Sequence, residues 1–131
     1  MNQTDFTLSK SERISRKLII DKLFSEGKSF VAYPLRVVYL VNVDLQEAPV
    51  AMLVSVSKKR FKRAVKRNLI KRRVREAFRL NKHQLQIPDS VNNVAVAFLY
   101  LSTDLSDFSL LNRKMEEINN QLNKRLCSEN S

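Results

Sequence analysis

One stretch of the sequence, from Lys58 to Arg79, has residue types whose spacing could do chemistry. It contains twelve Lys or Arg residues and a single acid, Glu76. Its net charge of +11 equals that of the whole chain, because the other residues carry as many acids as bases. Like charges held close together repel one another, so such a stretch is stabilised by a polyanion. Nucleic acid, with its regularly spaced phosphates, is the usual partner.

Apolar residues inside this stretch follow the spacing of an α-helix. Ile70, Val74, Ala77 and Phe78 fall on one arc at about 100° per residue. The opposite arc is polar and carries Asn68, Lys71, Arg72, Arg75 and Arg79. The spacing therefore predicts an amphipathic helix with one buried side and one basic side. This pattern argues against a disordered basic tail, whereas a basic helix face that is merely solvated stays open as an alternative.

The sequence offers no motif for catalysis by the protein itself. It contains no G-x-S-x-G and no paired carboxylates in an ordered motif, and its one glycine rules out the usual phosphate-binding loop. The one histidine, His83, has no Cys, Asp or Glu at the spacing of a metal site, and we interpret it as a surface residue. The residues alone therefore indicate an RNA-binding module and no metal in the protein.

Composition also bears on location and partners. Cys127 is the only cysteine and has no internal partner for a disulfide, so the default setting is the reducing cytoplasm. No apolar run approaches the roughly 20 residues that span a bilayer. No apolar segment follows a basic start, as it would in a signal peptide. We therefore expect a cytoplasmic protein with no membrane partner.

Hydrophobic periodicity predicts the order α-β-β-β-α-β-α. The predicted elements are a helix over 15–26, strands over 29–33, 35–43 and 50–56, the basic helix, a strand over 91–101 and a last helix. This is the α/β (α+β) class, with three helices packed on a small mixed sheet of about four strands. We expect one RNA-binding domain over residues 1–131, with residues 1–8 and 127–131 flexible.

Four details of this arrangement are specific enough to test. The strands over 35–43 and 50–56 should pair as a hairpin, and the strand over 91–101, apolar on both faces, should be central. Thr103 or Asp104 should cap the last helix. Gly27 should end the first helix in a left-handed conformation.

An ordered string of residues resembles the signature of the bacterial ribonuclease P protein subunit. That signature is a strand ending in SVSKK, a short loop, and a helix of the form A-x-x-R-N-R-x-K-R-x-x-R-E. Here the string comprises Ser55 to Lys59, Ala64 to Asn68 and Lys71 to Phe78. One position departs, since Leu69 stands where the family has its second motif arginine. Lys66 and Lys71 are the neighbours that would have to replace its contact.

The resemblance extends to the first helix. The family has F-x-x-V-F-x-x-G there, and the matching residues of this chain are Ile20, Leu23, Phe24 and Gly27. It implies a left-handed crossover around the sheet. It also implies a cleft for the 5′ leader of precursor tRNA, formed by Ile20, Phe24 and a strand tyrosine, Tyr39. The alternative for all three side chains is ordinary core packing.

The resemblance implies one subunit of a ribonucleoprotein endonuclease that removes the 5′ leader from precursor tRNA. The catalytic groups and the Mg²⁺ ions would belong mainly to the RNA subunit, so no residue of this chain is expected to be catalytic. The partners would be this catalytic RNA and precursor tRNA, and not DNA, with the protein itself monomeric. The residues expected to bind RNA are Lys58, Lys59, Arg60, Lys62, Arg63, Lys66, Arg67, Asn68, Lys71, Arg72, Arg75 and Arg79.

Two other functions fit a basic domain of this size. One is a ribosomal or other structural RNA-binding protein with no role in tRNA processing. The other is a DNA-binding protein that places the basic helix in a groove. Asn68 is the one obvious base-reading side chain on that helix, which disfavours sequence-specific DNA recognition.

Overall fold

The computed structural model describes residues 17–43, 46 and 48–129. Within these ranges the chain forms three α-helices and four strands in the predicted order. The elements are α1 (Lys17–Glu26), β1 (Lys28–Ala32), β2 (Leu35–Val41), β3 (Val50–Val56), α2 (Ala64–Asn81), β4 (Val94–Tyr100) and α3 (Phe108–Glu129). Residues 1–8, which were expected to be flexible, lie outside the described residues. The other expected flexible end begins at Cys127, and α3 continues beyond it to Glu129.

The four strands form one mixed sheet in the order β1-β2-β4-β3. β4 pairs antiparallel with β2 and parallel with β3, so it lies between them. The prediction of a central β4 is confirmed, and the prediction of a β2–β3 hairpin is wrong. β4 is apolar on both faces and six of its seven residues are buried, which favours the interior of the sheet over its edge.

The two faces of the sheet are covered by different helices. One face packs against α2 and α3 in the main core, which includes Phe98 of β4, Phe78 of α2 and Met115 of α3. The other face packs against α1, whose Ile19 and Leu23 form a second, smaller core with sheet residues. Because side chains alternate along a strand, β2, β3 and β4 contribute to both cores, whereas β1 contributes only to the main one.

β3, α2 and β4 form a unit in which the basic helix connects two parallel, adjacent strands. Ile70, Val74, Ala77 and Phe78 are fully buried, which confirms the predicted apolar side of the helix. The left-handed sense of this crossover stays a prediction from the family resemblance. None of the helices in the described part of the chain is long and apolar enough to cross a membrane.

Two predicted helix ends differ from the observed ones. The backbone N–H of Leu110 donates to Oδ1 of Asp107 at 2.9 Å, so Asp107 caps α3 in place of Thr103 or Asp104. Gly27 follows α1, but its φ is not positive. A Cβ at this position would lie 2.3 Å from the Leu23 carbonyl oxygen and 2.9 Å from Cγ1 of Val38. Glycine is therefore needed for the close approach of α1 to β2.

Candidate nucleic-acid interface

A short loop between β3 and α2 begins the basic segment and is held in a defined shape. The backbone N–H groups of Arg60 and Phe61 donate to the Ser57 carbonyl at 3.2 and 3.1 Å. The N–H of Lys59 donates to the Ser57 hydroxyl at 3.1 Å. Phe61 is buried beside Tyr100, with ring centroids 5.9 Å apart. The loop is thus anchored at both ends while the lysines between them face solvent.

Three arginines of the segment bond to the protein's own backbone, and we call them the anchoring arginines. Nη1 of Arg67 donates to the carbonyls of Phe61 and Lys62 at 2.7 and 2.9 Å, which ties α2 to the loop. Nη1 of Arg73 donates to the Ser106 carbonyl at 2.7 Å. A guanidinium nitrogen of Arg60 donates to the Leu101 carbonyl. A guanidinium has five N–H donors, so the donors not used here stay available for a phosphate.

Six other bases of the segment are exposed, and we call them the outward bases. They are Lys58, Lys59, Lys62, Arg63, Lys66 and Arg72. Their side chains form no hydrogen bond or ion pair with another described residue. The outward bases therefore concentrate positive charge on the loop and on the first three turns of α2, where nothing in the described protein neutralises it.

The far end of α2 carries the one acid of the segment, Glu76. Nε of Arg79 donates to Oε2 of Glu76 at 3.1 Å, and the two side chains form a local ion pair. This hydrogen bond holds the pKa of Glu76 below its usual value. Burial opposes this effect, and the positive charge of Arg79 adds a smaller lowering. Arg79 was predicted to bind RNA, and its guanidinium is partly engaged within the helix.

The side of α2 opposite the core holds an open depression of about 670 Å³. Its described lining is Val65, Asn68, Leu69, Arg72 and Arg75. The predicted RNA-binding residues Asn68, Arg72 and Arg75 therefore lie together, with Lys71 partly buried on the adjoining side. Val65 was not assigned to this site from the sequence. Its spacing of four residues from Leu69, which places the two side chains on one face of a helix, could have indicated it.

α1 presents the first part of the predicted leader cleft. Ile20 and Phe24 are four residues apart and lie along one flank of α1, beside the buried Ile19 and Leu23. Ile20 is half-buried, whereas Phe24 is 46% exposed. The sheet beneath this helix is apolar, and its partly exposed members are Leu40, Leu53 and Leu99.

Tyr39 does not lie in this cleft. It shares a strand face with Leu35 and Val37, and α2 and α3 cover that face. Tyr39 is 3% exposed and its ring lies 6.3 Å from that of Phe30. On β2, the residues on the α1 side are Val38 and Leu40. The assignment of Tyr39 to the leader cleft is therefore corrected, because alternation shows which residues share a face but not which helix covers it.

Comparison with known proteins agrees with the string of motif residues. The sequence model of the Ribonuclease P family matches residues 8–123. A ribonuclease P protein component of Porphyromonas gingivalis is 50% identical over 114 residues, which is 86% of this chain and 83% of the relative. Another from Chlorobaculum tepidum is 35% identical over 102 residues, covering 71% of this chain and 66% of the relative.

Solved structures show the same fold. The RNase P protein from Thermotoga maritima superposes with a TM-score of 0.68 at 23% identity, covering 84% of this chain and 96% of that one. The Staphylococcus aureus RNase P protein gives a TM-score of 0.66 at 22% identity, covering 83% and 93%. The family model matches most of the chain, and the Porphyromonas gingivalis relative, which is 50% identical, is also a ribonuclease P protein component. The chain therefore belongs to the ribonuclease P protein family.

Proposed function

We propose that this chain binds ribonuclease P RNA through its basic segment and the 5′ leader of precursor tRNA through the cleft beside α1. As a family member it is a protein component of ribonuclease P, the ribonucleoprotein that processes the 5′ ends of tRNA. Family membership favours this function over a ribosomal RNA-binding protein. The outward bases carry the proposal, because they form one uncompensated cationic surface on a loop and helix that are otherwise rigidly held.

The part of the basic segment in the reaction would be electrostatic. RNA strands resist close approach because their phosphates repel, and cations fixed by a folded protein lower that repulsion. The described residues contain no group of three or more His, Cys, Asp or Glu that could hold a metal ion. We assign the Mg²⁺ ions and the catalytic groups to the RNA subunit, as the family resemblance implies. The protein would lower the Mg²⁺ concentration that the RNA needs.

The cleft beside α1 would take the single-stranded leader. Phe24 offers an exposed aromatic face, and stacking of a base on such a face is sequence-tolerant and contributes about 1 to 3 kcal/mol. Ile20 flanks it on the same helix, and Val38 and Leu40 supply the apolar floor. A surface of this kind suits leaders of varied sequence. We expect the protein to act as a monomer within the ribonucleoprotein, in the cytoplasm.

The test is cleavage of a precursor tRNA with a 5′ leader by a bacterial ribonuclease P RNA, at low Mg²⁺ and moderate salt. The native protein should stimulate cleavage strongly. A variant with Lys66→Ala and Arg72→Ala should lose much of this stimulation, since both residues are outward bases. The matched control, Arg113→Ala with Lys124→Ala, removes the same charge from exposed positions on α3 and should stimulate like the native protein.

The opposite result has a definite meaning. Tight RNA binding with no stimulation of cleavage would indicate a structural RNA-binding protein. If the Lys66→Ala, Arg72→Ala variant and the control lose stimulation of cleavage equally, the effect depends on net charge and not on the position of the charge on the loop and α2.

A further inference from the structure

Two aliphatic side chains interrupt the basic side of α2. Val65 is 78% exposed, the largest exposure among the exposed large hydrophobic residues of the described chain. Leu69 follows it by four residues, and both lie opposite the buried arc that contains Ile70 and Val74. The core therefore does not require them. Exposed aliphatic residues also contribute nothing to the attraction of phosphates, so the electrostatic function leaves this pair unexplained.

The surroundings of the pair define what it could bind. Val65 and Leu69 line the open depression of about 670 Å³ together with Asn68, Arg72 and Arg75. All five described lining residues belong to α2, so the depression is open to solvent on one face of this helix. It combines an apolar surface, one carboxamide and two guanidinium groups. A phosphate alone would gain nothing from the apolar part.

An unpaired nucleotide matches all three parts of the lining. The face of a base is weakly polar and can lie on aliphatic side chains, which removes apolar surface from water. The edge of the same base carries donors and acceptors that a carboxamide such as that of Asn68 can pair with. Its phosphate can accept hydrogen bonds from an arginine. Bases that are splayed out of a helix in this way are the usual targets of sequence-specific RNA recognition.

We propose that this depression is a subsite for one unpaired nucleotide of the ribonuclease P RNA. The base lies on Val65 and Leu69 beside Asn68, and the phosphate lies against Arg72. The inference rests on the proposed binding of that RNA by the basic segment. The high positive charge around the depression favours a polyanion over an apolar segment of another protein, because a nearby protein helix would leave the outward bases unneutralised.

The first test separates apolar contact from charge. The change Val65→Ala with Leu69→Ala removes the aliphatic contact but keeps the charge and favours the helix. We expect affinity for a bacterial ribonuclease P RNA to fall about tenfold, with the same slope of log affinity against log salt. Arg72→Ala should instead reduce that slope by about one. The control Leu80→Ala changes an exposed leucine of α2 outside the depression and should leave affinity unchanged.

The second test locates the base. Chemical probing of the RNA should show one or two unpaired nucleotides that the native protein protects and the Val65→Ala, Leu69→Ala variant does not. Replacing such a nucleotide by an abasic one should weaken binding to the native protein. It should weaken binding to the variant little further, because the protein change and the RNA change remove the same contact.

Several outcomes would overturn the inference. No base lies in the depression if the Val65→Ala, Leu69→Ala variant binds the RNA as tightly as the native protein. The same conclusion follows if the losses of affinity from the protein change and the abasic change are fully additive. A lower unfolding temperature of the free variant would assign Val65 and Leu69 to packing within the chain. Reduced self-association of the ribonucleoprotein with unchanged RNA affinity would assign them to a second copy of the chain. Failure of the native protein to bind the RNA at all would instead refute the proposed function.

Discussion

The anchoring arginines and the outward bases lie in the same 22-residue segment, yet only the first set bonds to the protein's own backbone. Arg67 donates two hydrogen bonds to the carbonyls of the loop that precedes α2. Arg72, five residues later, is exposed and bonds to no described residue. Counting charge along the sequence treats these residues as equals. In the structure, the anchoring arginines stabilise the protein's own backbone, whereas the outward bases are exposed to solvent.

The largest expected effect tests the outward bases as a set. If they make about six phosphate contacts, the affinity of the native protein for ribonuclease P RNA should fall on the order of a thousandfold between low and moderate salt. Changing all six to Ala should make that response nearly flat. Filter binding across a salt series measures both slopes. If log affinity falls with log salt at a similar slope for both proteins, residues other than the outward bases make the phosphate contacts, and the distinction between the two sets is wrong.

The second prediction applies the same division to two aromatic residues. Tyr39→Ala should lower the free energy of unfolding by about 3 kcal/mol, because it removes a buried ring. Phe24→Ala should leave that free energy nearly unchanged and weaken binding of precursor tRNA several-fold, with little effect on mature tRNA. Chemical unfolding and a comparison of the two RNAs measure these effects. Selective loss of leader binding in Tyr39→Phe would contradict the assignment of Tyr39 to the core.

The third prediction concerns the anchoring role of Arg67. Arg67→Ala should lower the free energy of unfolding by about 1 to 3 kcal/mol, since it leaves two backbone carbonyls without their donors. Arg67→Lys keeps the charge, but the lysine amine lies one bond nearer the backbone than Nη1, so it should not reach both carbonyls and should restore little stability. Arg72→Ala is the matched control and should be nearly neutral. Full recovery in Arg67→Lys would mean that charge alone is what the position requires.

The smallest expected effect concerns Glu76 and pH. Its pKa is lowered in the folded protein, so the pair with Arg79 contributes stability above the pKa of an unfolded glutamate, and that contribution disappears as pH falls through the lowered value. The pair is partly exposed and therefore screened by solvent, so we expect only a few tenths of a kcal/mol. Unfolding of native and Glu76→Gln proteins at neutral and acidic pH should show this difference only at neutral pH.

Local patterns predicted most of the fold. The 3.6-residue period identified the buried side of α2, and the two-sided apolar character of β4 placed it in the interior of the sheet. The alternation of side chains along β2 likewise accounts for Tyr39 lying on one face with Leu35 and Val37. These properties depend on residues close together in sequence, so the sequence alone carries them.

The remaining features depend on partners that are distant in sequence. β2 could pair with β3 or with β4, and the sequence of β2 does not favour either strand. The alternation of buried and exposed side chains along β2 would be the same with either neighbour. The covering of Tyr39 by α3 and of Val38 by α1 depends on the path of the chain across the sheet. The inward bonds of Arg60 and Arg73 reach carbonyls that follow β4. No spacing rule separates such an arginine from one that faces solvent.

The parallel pairing of β3 with β4 has a consequence for the kinetics of folding. The chain between these strands contains the whole basic segment, so the sheet is completed only when that segment is closed into a compact loop. Closing the loop brings its net charge of +11 together, which raises the barrier. Anions that screen this charge should therefore speed folding more than they slow unfolding. Sulfate, or the RNA itself, would then act on the chain before the sheet is complete.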